Sequence, residues 1–192
     1  MSAGIKASAD GTQAIIQVAG VDRATLDNTG KFTVTSIVAK GAVAQLVTTA
    51  LATVATGTTV LPIDNTIPQN TEGDQYLSVT ITPTSASSTL EIDIELVISH
   101  SVSGVYMAAA LFQDSTANAL AATADANSGG AGGFSGPLKL KHIMPAGTTS
   151  ATTFKVRAGS STAGTTSVNG ASGVQVFGGV ASSRITVKEY LP

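Results

Sequence analysis

Three acids, Glu91, Asp93 and Glu95, stand two residues apart, each separated from the next by one isoleucine. Carboxylates spaced this way share one side of an extended chain, and a carboxylate pair facing one sugar is the equipment of glycoside hydrolysis. A solvated strand face also carries acids at this spacing, and that reading accounts for the isoleucines between them as well. His100 and His142 are the two histidines, each following a predicted strand face. Neither belongs to a ligand pattern such as His-Glu-x-x-His, so both read as surface or strand-end histidines. Glu72 and Asp74 flank Gly73 and read as loop acids, with a hard-cation site as the alternative. The glycine-rich stretch 128–133 lacks the Gly-Lys-Ser/Thr ending of a phosphate cradle and reads as a flexible loop. Ser150 and Ser182 have no Gly-x-Ser-x-Gly surroundings. The residues therefore assign no catalytic, cofactor-binding or metal site, and no cofactor is expected.

The elements that carry these residues are strands. In Leu90–Ile98 the residues Leu90, Ile92, Ile94, Leu96 and Ile98 alternate with polar ones, the period-2 signature of a half-buried strand. Leu77, Val79 and Ile81 repeat that pattern before Pro83, as do Leu138 and Leu140 against Lys139 and Lys141. Phe154, Val156 and Ala158 oppose Thr153, Lys155 and Arg157, and Ile185 and Val187 oppose Arg184, Thr186 and Lys188. Val105–Phe112 is apolar on both sides, as in a strand covered on both faces, either centrally in a sandwich or at an oligomer contact. Short strands at this spacing with Gly-rich turns predict an all-β chain, a jelly-roll-like β-sandwich over 61–192. The Ala-rich 118–126 reads as a helical turn or an extended loop, and 159–173 as a long Ser/Thr/Gly loop.

Residues 1–40 read as a small β-hairpin-containing attachment segment, broken by Gly20 and by Asp27-Asn28-Thr29-Gly30. Pieces of this size bury little apolar surface alone and should pack on something else. Residues 41–60 are read as a connector strand, with a short helical stalk as the alternative. Thr and Val, stiff at Cβ, favour the strand.

Composition narrows the partners. Asp, Glu, Lys and Arg make up 11% of the chain and aromatic residues 4%, so the core must be aliphatic. Low charge suits a surface partly covered by neighbouring subunits, and equally a Thr-rich β protein. A net charge of −2 without a basic run argues against nucleic-acid binding through phosphates. The chain has no cysteine, so there is no disulfide framework. The first six residues lack the apolar run of a signal peptide. The uncharged stretch 41–63 is diluted by Gln45, Gly57, Pro62 and six threonines, so no membrane insertion is expected.

Several stretches resemble the distal β-structured domain of tailed-bacteriophage fibre proteins. They are Thr66-Ile67-Pro68-Gln69-Asn70-Thr71-Glu72-Gly73 with Ile81-Thr82-Pro83, Ala110-Leu111-Phe112-Gln113-Asp114, 146–157, Gly178-Gly179-Val180 and 183–189. Gly20-Val21-Asp22-Arg23 and Thr29-Gly30-Lys31-Phe32 resemble pieces of phage virion proteins more loosely. The main resemblance spans about residues 57–192 in order and spacing. It implies a homotrimeric module on the virion surface and no hydrolytic residues. The expected function is a short trimeric fibre or spike that presents its head for host attachment to a surface glycan or protein. A trimeric capsid decoration (cement) protein is the alternative, because fewer than about 60 residues precede the head where long fibres carry a shaft. Residues 1–40 would then dock on a tail, baseplate or major capsid protein. Small side chains on both faces of Val105–Phe112 give trimer formation a physical motive.

Overall fold

The structure is a computed structural model that describes residues 4–7, 13–18, 21–34, 40–126, 131–134 and 137–192. It divides into two compact units, residues 1–40 and 41–192. Among the described residues there is no α-helix.

The first unit is an antiparallel meander of β1 (Gly4–Ala7), β2 (Gln13–Val18), β3 (Val21–Asp27) and β4 (Phe32–Val34), paired in that order. Asp27 shapes the last turn. Its Oδ1 accepts from the Thr29 hydroxyl at 2.6 Å and from the main-chain N–H groups of Thr29 and Lys31, both at 2.9 Å. The Thr29 bond, with those N–H groups, holds the carboxyl below its ordinary range. Ile15 and Ala24 are buried, but Ile5, Leu26 and Phe32 are exposed.

Among the described residues the second unit contains eight long strands. They are β5 (Val43–Leu51), β7 (Asp74–Ile81), β8 (Thr89–Leu96), β10 (Tyr106–Gln113), β11 (Ala121–Ala126), β12 (Leu138–Pro145), β13 (Thr152–Ser160) and β17 (Ser183–Tyr190). Shorter pieces fill the gaps: β6 (Ala55–Gly57), β9 (Ile98–His100), β14 (Thr166–Val168), β15 (Gly170–Ala171) and β16 (Val174–Gln175). One sheet runs β12-β8-β17-β5 and the other β11-β10-β13-β7. The first long strand pairs with the eighth, the second with the seventh, the third with the sixth and the fourth with the fifth, all antiparallel. A single long hairpin rolled up on itself gives this pattern, and it defines a jelly roll of two facing sheets.

The core lies between the sheets. Leu90, Ile92, Ile94 and Leu96 of β8 and Ile185 and Val187 of β17 pack into one cluster with residues of the opposite sheet. These include Leu77, Val79 and Ile81 of β7, Met107 and Leu111 of β10, and Phe154 and Val156 of β13. The alternation legible in the sequence is thus the inner and outer faces of real strands.

Three expectations need correction. Residues 41–60 are no connector outside a sandwich that begins at 61. β5 is its first strand, in register with β17 from Ser183↔Leu51 to Tyr190↔Val43. Residues 121–126 are strand β11, because the turn after β10 brings them alongside it, Leu111↔Ala121 through Tyr106↔Ala126. The stretch 159–173 is not all loop. β14 forms a small sheet between β6 and β9, and β15 pairs with β16. Residues 128–130 of the glycine-rich run 128–133 lie outside the described residues.

The two-sided apolar character of β10 has an explanation within this chain. Met107, Ala109 and Leu111 face the main core, and Ala108, Ala110 and Phe112 form a second buried cluster with Leu61. A strap of chain lies over that outer face, pinned by Leu61 N–H to Ser160 O at 3.0 Å and by Gly73 N–H to Val60 O at 3.0 Å. Two glycines permit the close approach. A Cβ at Gly159 would stand 2.7 Å from Thr59 O, and one at Gly73, where φ is +62°, 2.8 Å from Ala158 O.

Candidate functional site

The acids of β8 lie on the outer face of its sheet, opposite lysines and an arginine supplied by both neighbouring strands. Register sets Glu95 against Lys139 and Asp93 against Lys141 on β12, and Glu95 against Arg184 and Glu91 against Lys188 on β17. Lys188 Nζ donates to Glu91 Oε1 at 3.0 Å, and Lys141 Nζ stands 3.4 Å from Glu91 and 3.5 Å from Asp93. Lys139 reaches Glu95 at 3.6 Å. The bond from Lys188 holds the Glu91 carboxyl below its usual range, and Glu91 in turn raises the Lys188 ammonium. A glycosidase needs one carboxyl kept protonated, so this ladder pulls Glu91 the wrong way for a general acid. The groove beside it, about 230 Å³ and bordered by Asp93, Glu95, Arg184 and Lys188, carries both signs of charge.

The other sequence candidates are dispersed. His100 closes β9 and is buried rather than at the surface, because β14 and the turn at Gly164 cover it. Its Nδ1 accepts from Val102 N–H at 3.2 Å. His142 is half-buried on β12. The acids beside Gly73 serve the strap: Glu72 accepts from Gln69 N–H at 2.9 Å, and Asp74 accepts from Thr59 N–H at 2.9 Å and the Thr59 hydroxyl at 2.8 Å. Ser150 lies in the exposed turn between β12 and β13, and Ser182 precedes β17. Among the described residues no three His, Asp or Glu side chains gather as metal ligands.

Two polar arrangements escaped the sequence reading. Glu189 follows Ile185 and Val187 on the core side of β17 and is fully buried. Its Oε1 accepts from Thr84 N–H at 2.8 Å and the Thr84 hydroxyl at 2.7 Å, and its Oε2 from the Gln45 amide at 2.6 Å. Burial pushes this carboxyl up, but the hydrogen bonds from Gln45 and Thr84 outweigh it and hold it at about 2. Glu189 thereby clips β5 and the β7–β8 turn to β17. The period-2 pattern running on past Val187 was the available signal.

The second arrangement is a pocket of about 310 Å³ on the outer face of the β11-β10-β13-β7 sheet. Lys155 and Arg157 point into it from β13, joined by Gln75 of β7 and by Asn70, Asp114 and Ser115 from adjoining loops. Arg157 donates through Nε to Glu72 O at 2.8 Å and through Nη2 to Gly73 O at 2.6 Å. Lys155 Nζ donates to Asp114 O at 2.7 Å. Asp114 holds a left-handed φ of +51° and uses its carboxylate on the Thr152 hydroxyl at 2.9 Å and Thr153 N–H at 2.8 Å. The alternation of Lys155 and Arg157 was legible; their convergence with residues 40 to 87 positions away was not.

No family model matches the chain, and no curated protein matches it. Among solved structures it is similar to the VP2 subviral particle of infectious bursal disease virus, with 13% identity and a TM-score of 0.37 over 94% of this chain and 47% of that one. It is also similar to dimeric latent PorU from Porphyromonas gingivalis, with 8% identity and a TM-score of 0.36 over 79% of this chain and 13% of that one. The chain thus spans less than half the length of either protein. Its jelly-roll topology rests on its own strand pairing.

Proposed function

We propose that this protein is a structural component of a bacteriophage virion, a homotrimeric short fibre or spike whose jelly-roll head is displayed for host attachment. The observation that carries this reading is the pairing of a closed jelly roll with a separate four-stranded unit that leaves Ile5, Leu26 and Phe32 exposed. A sheet that cannot cover its own apolar side chains is built to be covered by something else. The resemblance of residues 57–192 to phage fibre domains points the same way, with the first unit docking on other virion proteins. Exposed Val43, Leu46, Ile63 and Ile143 on the head offer apolar area to sister subunits. The carboxylate ladder is neutralised by its lysines, which supports a role without bond-making chemistry.

Immunogold labelling of intact particles tests the placement. A few copies at the tail support the fibre. Hundreds of copies on the head would replace it with a decoration protein that adds buried interface between capsomers. Sedimentation equilibrium at micromolar concentration should return a trimer mass. Release of reducing ends from host polysaccharide by the purified protein would overturn the non-enzymatic reading.

A further inference from the structure

We infer that the pocket formed by Asn70, Gln75, Ser115, Lys155 and Arg157 binds a saccharide unit bearing an acidic group. The choice of a saccharide rests on the attachment reading; the acidic group rests on the pocket alone. Every side-chain ion pair among the described residues lies on the β12-β8-β17 face. Lys155 and Arg157 take part in none of them and are tied to main-chain carbonyl oxygens. Those bonds orient both cations without neutralising them. They use one of the three ammonium donors and two of the five guanidinium donors. Both side chains are half-buried, so ordering them for a ligand costs little further entropy. The one carboxylate at the rim, Asp114, is engaged with Thr152 and Thr153. What remains is a fixed positive site of the kind that takes a carboxylate or phosphate through charge-assisted hydrogen bonds.

Beneath these groups the buried Phe112 closes the floor, and the remaining side chains suit hydroxyl groups. Gln75 and Ser115 are exposed, and Asn70 is held at the pocket wall by its amide nitrogen, which donates to Thr116 O at 3.1 Å and Ser115 O at 3.5 Å. A volume of about 310 Å³ stands at the small end of ligand sites, room for one or two sugar rings. A polyanion is disfavoured because the chain carries a net charge of −2 and has no basic run beyond this pocket.

The test uses the full chain. Galacturonic acid, glucuronic acid, N-acetylneuraminic acid, galactose and inorganic phosphate are titrated while the amide resonances of Asn70, Gln75 and Ser115 are followed by NMR. At least one acidic sugar is expected to shift these resonances and to bind about tenfold or more tightly than galactose. Lys155→Gln should weaken it by about 10- to 100-fold, the range of a hydrogen bond to a charged group. Gln75→Ala, exposed and safe for folding, should weaken it less. The inference is overturned if no acidic sugar binds at millimolar concentration, if galactose binds equally, or if both variants bind like wild type. Phosphate binding as tightly as the sugars would also overturn it, by showing a bare anion site. Adhesion of labelled protein to host cells is measured alongside. Wild-type adhesion that Lys155→Gln leaves intact sinks the pocket and spares the attachment reading. Absent wild-type adhesion with sugar binding intact does the reverse.

Discussion

β8 and β10 are both eight-residue strands, each second in its four-stranded sheet, yet their outer faces are opposites. Outside, β8 carries Glu91, Asp93 and Glu95, half-buried among the lysines of the neighbouring strands. β10 carries Ala108, Ala110 and Phe112 beneath the strap at Leu61. Period-2 polarity thus records what lies over a strand, and not how central the strand is in its sheet. The same contrast separates the two charged surfaces. Cations of the β8 sheet find carboxylates across the strands, whereas those of the β10 sheet are anchored on peptide carbonyls and keep their charge for something else.

Substitutions can break this contrast, beginning with the most damaging. Ala110→Asp gives β10 the kind of residue that β8 bears without difficulty. Buried unpaired, it should cost several kcal/mol and leave little soluble folded protein on expression. Phe112→Ala empties the outer cluster and should lower unfolding free energy by about 3–5 kcal/mol in urea titrations. Leu61→Ala thins the cover from the other side and should cost about 2–3 kcal/mol, less because the strap can settle into the space.

Glu189→Gln comes next, at about 2 kcal/mol near neutral pH, since it replaces charge-assisted hydrogen bonds with weaker ones and sets an amide N–H₂ toward donors. The folded-state value of about 2 lies below the ordinary 4.5, so this stabilisation is complete above about 4.5 and lost as pH falls toward 2. The gap between wild type and variant in urea midpoint should therefore close over that interval. A gap that widens on acidification would contradict the assignment. Lys139→Gln stands last. Its side chain is 68% exposed and 3.6 Å from Glu95, so the thermal midpoint should stay put at any salt concentration.

The jelly-roll expectation followed from strands whose two faces differ in polarity, and that is why β7, β8, β12, β13 and β17 were legible. β11 was missed because alanine prefers neither face nor element strongly, and its strand character comes from lying beside β10. β5 was taken for a connector for a related reason. Its Thr-rich sequence suits any extended segment, and only the return of the chain at Ser183–Tyr190 gives it a partner. At the level of sites, the period-2 spacing put the three acids together on one outer strand face, but the lysines that half-bury them come from β12 and β17 and were not legible. The β13 pocket was invisible, since Asn70, Gln75, Asp114 and Ser115 meet Lys155 and Arg157 only through the roll of the hairpin. His100 was placed at a strand end, where it is, but its cover comes from the distant turn at Gly164.

The pairing of the first long strand with the last leaves the two ends of the head side by side: Gly41 N–H donates to Leu191 O and Leu191 N–H to Ala42 O, both at 2.9 Å. A few glycines could join them and new ends be cut in the exposed turn at Thr149–Ser150 without severing a strand. The head is in this sense a cassette, able to be permuted or inserted into a surface loop of another scaffold with its outer faces carried along intact.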